Sequence, residues 1–148
     1  MKHRKTHNRR NRRRGFTLVE VTLVLVILSI IGGIAVVSIQ SAQKQNYIRA
    51  AGAKITAYEN ELERYQLDVL EYPSSDEGLN ALYECPSDVE ETIWGGRYID
   101  DPPEKDPWHQ EYNYEYPGTH NTDGYDLYSS GPDKMAGNED DIGNWTNE

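Results

Sequence analysis

One stretch limits what this chain can become. Residues 16–39, FTLVEVTLVLVILSIIGGIAVVSI, form a 24-residue apolar run. Residues 1–15 before it carry eight Lys or Arg and no acid. A nucleic-acid arm would not lead straight into such a run. The apolar core of an ordinary secretory signal is about 7–15 residues long, and this run exceeds it. About 20 apolar residues cross a bilayer as a helix, so the run predicts a single span. The basic head predicts that its N-terminal side stays in the cytoplasm. Glu20 lies five residues into the run. A carboxylate deep in hydrocarbon costs about 2.5–3.5 kcal/mol on insertion scales, so it needs a partner or a purpose.

The segment RRRGFTLVE resembles the processing signal of type IV pilins and pseudopilins. The resemblance implies that a membrane-embedded prepilin peptidase cuts after Gly15 and methylates the new N-terminal Phe16. It also implies that Glu20 pairs with the N-terminal amine of a neighbouring subunit and fixes its register in a filament. Pairing offsets much of the cost of two charges in hydrocarbon.

Helical periodicity continues past the run. Ile48, Ala51, Ile55, Tyr58, Leu62, Tyr65 and Val69 recur at steps of three and four, one apolar stripe of an amphipathic helix. Lys54, Glu59, Glu63 and Arg64 lie on the other side. The helix should end near Tyr72, because the residue before Pro73 avoids helical angles. Gly32 and Gly33 each weaken a helix by about 1 kcal/mol against alanine and mark either a bend or a close contact. Ser74 and Glu77 match a capping box that opens a second, short helix, with Leu79 and Leu82 on its buried side. Residues 85–108 are loop, punctuated by proline and glycine. EYNYEY puts Tyr112, Tyr114 and Tyr116 on one strand face, and YDLYSS puts Tyr125 and Leu127 on one face of its partner. The fold class is α+β: a long N-terminal helix laid on a small antiparallel sheet. The organisation follows as leader 1–15, apolar helix 16–39, amphipathic helix 40–72 and globular part 73–148.

Residues 73–148 hold 19 acids and three bases, and only 21 of these 76 residues are apolar or aromatic. So acidic a body repels nucleic acid. A core this lean needs a staple, and the lone Cys85, read as a small buried apolar group, cannot form an intramolecular disulfide. SSGPDKMAGNEDDIGNW offers Asp133, Asp140 and Asp141 as hard oxygen ligands among glycines. It has no Cys or His for zinc. It is not an EF-hand: counted from Asp133, that pattern fails at Met135, Gly137, Asn138 and Asn144. Composition alone leaves a calcium loop and a solvated acidic loop both open.

The whole soluble part resembles the major pseudopilins of type II secretion systems. YPSSDEGLNAL, DPW at 106–108, YDLYSSGPD and DDIGNW carry the likeness. It implies a Ca²⁺ ion held by the side chains of Asp133, Asp140 and Asp141 and the backbone carbonyls of Ser130 and Met135. It implies a homopolymer with other pseudopilins, built on an inner-membrane assembly platform into a periplasmic pseudopilus that drives export of folded proteins. The anchor would be a single pass in the inner membrane, with the C-terminal domain in the periplasm. Two alternatives remain: a type IV pilin forming a surface fibre, and a monomeric membrane-anchored binding module. No Ser/His/Asp set, phosphate-binding glycine loop or paired-carboxylate site stands out, so the chain reads as a structural subunit and not an enzyme. His109 and His120 read as isolated surface residues, and Trp108 and Trp145 as core anchors. Asn144-Trp145-Thr146 matches the glycosylation acceptor pattern, but Asn144 reads as a packing residue.

Overall fold

The structure, a computed structural model, describes residues 15–145, without the side chains of residues 33–40. Residues 1–14 of the leader and Thr146 of the acceptor pattern lie outside the described residues. The elements run α1 (Leu18–Val69), a 3₁₀ helix (Gly78–Leu82), β1 (Asn113–Glu115), β2 (Asp126–Ser129) and β3 (Ile142–Gly143). The chain divides into two units, Met1–Gln40 and Ser41–Glu148.

In the first unit, Thr17 caps α1: its Oγ1 accepts the Glu20 N–H at 3.2 Å. Thr17-x-x-Glu20 is thus half of a capping box. The hydroxyls of Thr22 and Ser29 donate to the carbonyls of Val19 and Leu25, which satisfies these polar groups inside their own helix. α1 continues through Gly32 and Gly33, and a Cβ on Gly32 would meet nothing within 4 Å. Gly32 therefore makes no close contact among the described residues. Among the described residues no helix is long and apolar enough to cross a membrane. The run read as a span, 16–39, extends into residues 33–40, whose side chains are outside the described set.

The second unit is built on the stripe. Ala51, Ile55, Tyr58, Leu62 and Tyr65 are buried, and Ile48 and Val69 are half-buried. Ile55, Tyr58, Leu62 and Tyr65 meet Leu79, Ala81, Leu82, Tyr98, Tyr125 and Leu127 in one core. α1 ends three residues earlier than Pro73 alone requires. Leu70 takes a left-handed backbone (φ 69°), and its N–H donates to the Gln66 carbonyl at 2.8 Å, closing the last turn. Ser74 and Glu77 do bond reciprocally: the Ser74 N–H donates to Glu77 Oε2 at 3.0 Å, and the Glu77 N–H to Ser74 Oγ at 3.4 Å. They open a five-residue 3₁₀ helix, not an α-helix, with Leu79 and Leu82 buried as expected. A run this short suits the tighter form.

The sheet is antiparallel in the order β1–β2–β3, with Tyr114 opposite Leu127 and Ser129 opposite Ile142. β3 lies inside the segment read as an acidic loop, so the end of that loop is sheet edge. The tyrosines supply bulk where aliphatic residues are few. Tyr65 meets Tyr98 at 5.5 Å, Tyr58 meets Tyr112 at 5.7 Å and Tyr72 meets Tyr125 at 4.8 Å between ring centroids. Their hydroxyls tie down the loops. The Glu104 N–H donates to Tyr58 Oη at 2.8 Å, Tyr98 Oη donates to Asp68 at 2.9 Å, and Tyr114 Oη donates to the Pro73 carbonyl at 2.9 Å.

Four residues differ from the sequence reading. Cys85 is half-buried, its thiol near the carbonyls of Pro86 and Val89. Trp108 and Trp145 are half-buried at the margin of the fold, not core anchors, because Trp108 packs edge-on to Tyr47 and Trp145 lies flat on His120. His120 is exposed but not isolated: its Nδ1 is 3.0 Å from the buried Asp126.

Candidate functional site

Two sites follow from the sequence, one in each unit. At the N-terminal one, Gly15 and Phe16 are exposed, Phe16 at 82 %. Leu18, Val19, Val21, Leu23, Val24, Leu25, Val26, Ile27 and Leu28 are all exposed as well. These positions go fully around a 3.6-residue helix, so no face of it is covered. A helix apolar on every side belongs in a membrane or inside a bundle. Glu20 sits in the first turn, where its charge complements the helix dipole. Among the described residues its carboxylate makes no ion pair or side-chain hydrogen bond.

The second site is the loop between β2 and β3. Gly131 has φ +66°, and a Cβ there would collide with the Asp140 carbonyl, so glycine lets the two ends of the loop close on each other. Asp133 Oδ1 accepts the Met135 N–H at 3.0 Å. Asp141 is buried; its Oδ2 accepts the N–H groups of Gly137 at 2.7 Å and Asn138 at 3.2 Å. Its other oxygen, Oδ1, is buried with no hydrogen-bond partner. Asp140 is half-exposed and stands 4.0 Å from Lys44 on α1. Ser130 is buried, its hydroxyl accepting from Asn113 Nδ2 at 3.0 Å, and Met135 is exposed. Among the described residues no three of His, Cys, Asp and Glu are gathered closely enough to hold a metal ion. The carboxylates of Asp133 and Asp141 are turned to local N–H donors instead, and that of Asp140 faces Lys44. The donor set still suits a hard cation: every candidate ligand is an oxygen, and one buried carboxylate oxygen lacks any partner.

The family model described as type II secretion system, protein G matches residues 38–145. The chain belongs to this family. A second model, the prokaryotic N-terminal methylation motif, matches residues 10–36. The type II secretion system core protein G of Pectobacterium carotovorum subsp. carotovorum is 38 % identical over 136 residues, covering 90 % of this chain and 85 % of that one. That of Pseudomonas aeruginosa is 38 % identical over 143 residues, covering 93 % and 99 %. The major pseudopilin of enterohaemorrhagic Escherichia coli superposes with a TM-score of 0.59 at 31 % identity, over 71 % of this chain and 87 % of that one.

In this member of the protein G family, three polar residues organise the C-terminal half that sequence reasoning passed over or read only as packing. Asp106, of the DPW motif, is buried; its Oδ1 accepts from the N–H groups of Trp108 and Gln110, and its Oδ2 accepts from Ser129 Oγ at 2.5 Å. It locks the 106–110 turn to the strand that feeds the acidic loop. Asp126 is 1 % exposed and accepts the N–H groups of Thr119, His120 and Asn121 at 2.7–2.9 Å. Burial pushes its carboxyl up, but these donors and the His120 ring outweigh that and hold it below the usual carboxylate range. Asn144 accepts from the Leu127 N–H at 3.0 Å and donates to the Tyr125 carbonyl at 3.1 Å, so its amide is a strap on β2. That is the packing role expected for it.

Proposed function

We propose that the chain is a structural subunit of a type II secretion pseudopilus, a periplasmic filament that helps drive folded proteins across the outer membrane. The observation that carries this reading is the protein G match over 38–145, joined to the methylation motif at 10–36. The chemistry is association, not catalysis. Residues 16–39 act as the inner-membrane pass while the subunit waits, with the basic head in the cytoplasm. A prepilin peptidase removes residues 1–15 after Gly15 and methylates Phe16. Glu20 then takes up the amine of a neighbouring Phe16. Among the described residues the carboxylate has no partner, and an apolar helix uncovered on every face favours bundling. Other pseudopilins and an inner-membrane assembly platform are its partners.

In the same reading Ca²⁺ is held in the C-terminal loop by Asp133, Asp140 and Asp141, with the carbonyls of Ser130 and Met135. When bound, the ion would supply positive charge to a loop rich in acids and would hold its two ends together. The test is thermal unfolding of residues 41–148. With Ca²⁺ at 100 times its dissociation constant the gain is about 2.7 kcal/mol, a rise in Tm of about 10 °C at this size. Asp140→Ala, at a half-exposed side chain, should leave the calcium-free Tm nearly unchanged and abolish the rise. An equal rise in both proteins, or none in wild type, contradicts the assignment.

A further inference from the structure

Asn138 occupies a carboxylate oxygen of Asp133, one of Asp141 and the Met135 carbonyl, and holds the backbone at Asp140. Asn138 Nδ2 donates to Asp133 Oδ2 at 2.8 Å and to the Met135 carbonyl at 2.9 Å. Asn138 Oδ1 accepts the Asp140 N–H at 2.8 Å. The Asn138 backbone N–H donates to Asp141 Oδ2 at 3.2 Å. One residue therefore touches Asp133, Met135, Asp140 and Asp141. The amide orientation is fixed by its neighbours: a carboxylate and a carbonyl accept only, and a backbone N–H donates only. Flipping the amide would set oxygen against two acceptors and NH₂ against a donor.

We propose that Asn138 is a latch that closes the loop without metal by taking, with its amide nitrogen, the same two oxygens that a Ca²⁺ ion would need. The idea rests on the calcium reading of this loop and adds a positioning residue to it. An amide N–H₂ carries two partial positive hydrogens at fixed angles, so it can neutralise one carboxylate oxygen and one carbonyl at once. It cannot serve the buried Asp141 Oδ1, which stays unpartnered. Lys44 offers a second internal counter-charge, at 4.0 Å from Asp140. Because ion and amide compete for Asp133 Oδ2 and the Met135 carbonyl, bonds that stabilise the closed form lower the apparent affinity for the ion. The latch sets how much calcium is needed and keeps the loop folded before the ion arrives.

The experiment uses the full chain in detergent, stripped with a chelator. Calcium titration calorimetry is compared with amide hydrogen exchange of residues 133–141 in metal-free protein. The variants are Asn138→Ala and Asn138→Asp. Aspartate keeps the acceptor toward the Asp140 N–H but loses both donated bonds. Both variants should exchange faster than wild type without metal. Asn138→Ala should bind calcium about tenfold more tightly, because the bonds to the Asp133 carboxylate and the Met135 carbonyl no longer oppose the ion. Asn138→Asp should bind more tightly still. Calcium binding in wild type with equal or weaker binding in Asn138→Ala overturns the latch and leaves the calcium site standing. No calcium heat in any of the three proteins overturns both.

Discussion

Asp126→Ala will cost the folded state about 3–5 kcal/mol, read as a fall in the urea midpoint at neutral pH. The side chain is 1 % exposed, and three backbone N–H groups and the His120 ring converge on it. Alanine leaves those donors without an acceptor, and each unsatisfied buried donor costs about 1–3 kcal/mol. Total stability of a domain is about 5–15 kcal/mol, so one substitution removes a large share of it. The same carboxylate sets an acid limit. Its folded pKa lies below its unfolded one. Its contribution is therefore full above the unfolded value near about 4 and is lost as pH falls through the lower folded value. Asp126→Ala should lose part of the acid sensitivity that wild type has between about pH 4 and pH 2. An unchanged urea midpoint in Asp126→Ala would mean that the 117–126 turn is held by something else.

A second large effect should appear at the alkaline end. Tyr58, Tyr65, Tyr98 and Tyr125 are buried in the core. Burial pushes all four phenols up, Tyr98 to about 12. The unfolded chain releases these protons from about pH 10, whereas the folded chain keeps them. Protons held by the folded state alone make stability fall as pH rises. The contribution is intact below about pH 10 and disappears above it. One tyrosine loses about 1.4 kcal/mol per pH unit, and four together lose of the order of 5. Unfolding should become cooperative between about pH 10 and pH 12, with tyrosinate absorbance and the loss of helical circular dichroism rising together. Gradual ionisation with the helix signal intact would show that the rings titrate in place and are not buried as described.

The sequence was most legible where periodicity is strong. The stripe from Ile48 to Val69 and the alternation in EYNYEY predicted which residues face the core, and they do. It was less legible where a polar residue sits in a strand. Alternation puts Asp126 opposite Tyr125 and Leu127, on what should be a solvated face. The turn at 117–124 folds back over that face and buries it, and a Cβ on Gly118 would stand 2.5 Å from Asp126 Oδ1. The glycine in PGTHNTDG was a trace of that close approach. Helix ends were missed by a few residues, because a left-handed Leu70 is not announced by its side chain. The short strand β3 was hidden for another reason. Ile142 and Gly143 have no alternation to show, and they pair only because β2 offers an edge. Asn138 was invisible as a latch, because its role depends on which oxygens the loop brings to it.

A filament subunit of the kind proposed assembles through Glu20. The most direct test is crosslinking of the processed chain in envelopes of cells that carry the whole secretion apparatus, comparing wild type with Glu20→Ala. Wild type should give a ladder of multimers. Glu20→Ala should be processed and remain in the membrane, yet give monomer alone, because the charge that receives the neighbour's amine is gone. A wild-type chain that stays monomeric under these conditions, or an undiminished ladder from Glu20→Ala, contradicts the assembly role argued for this residue.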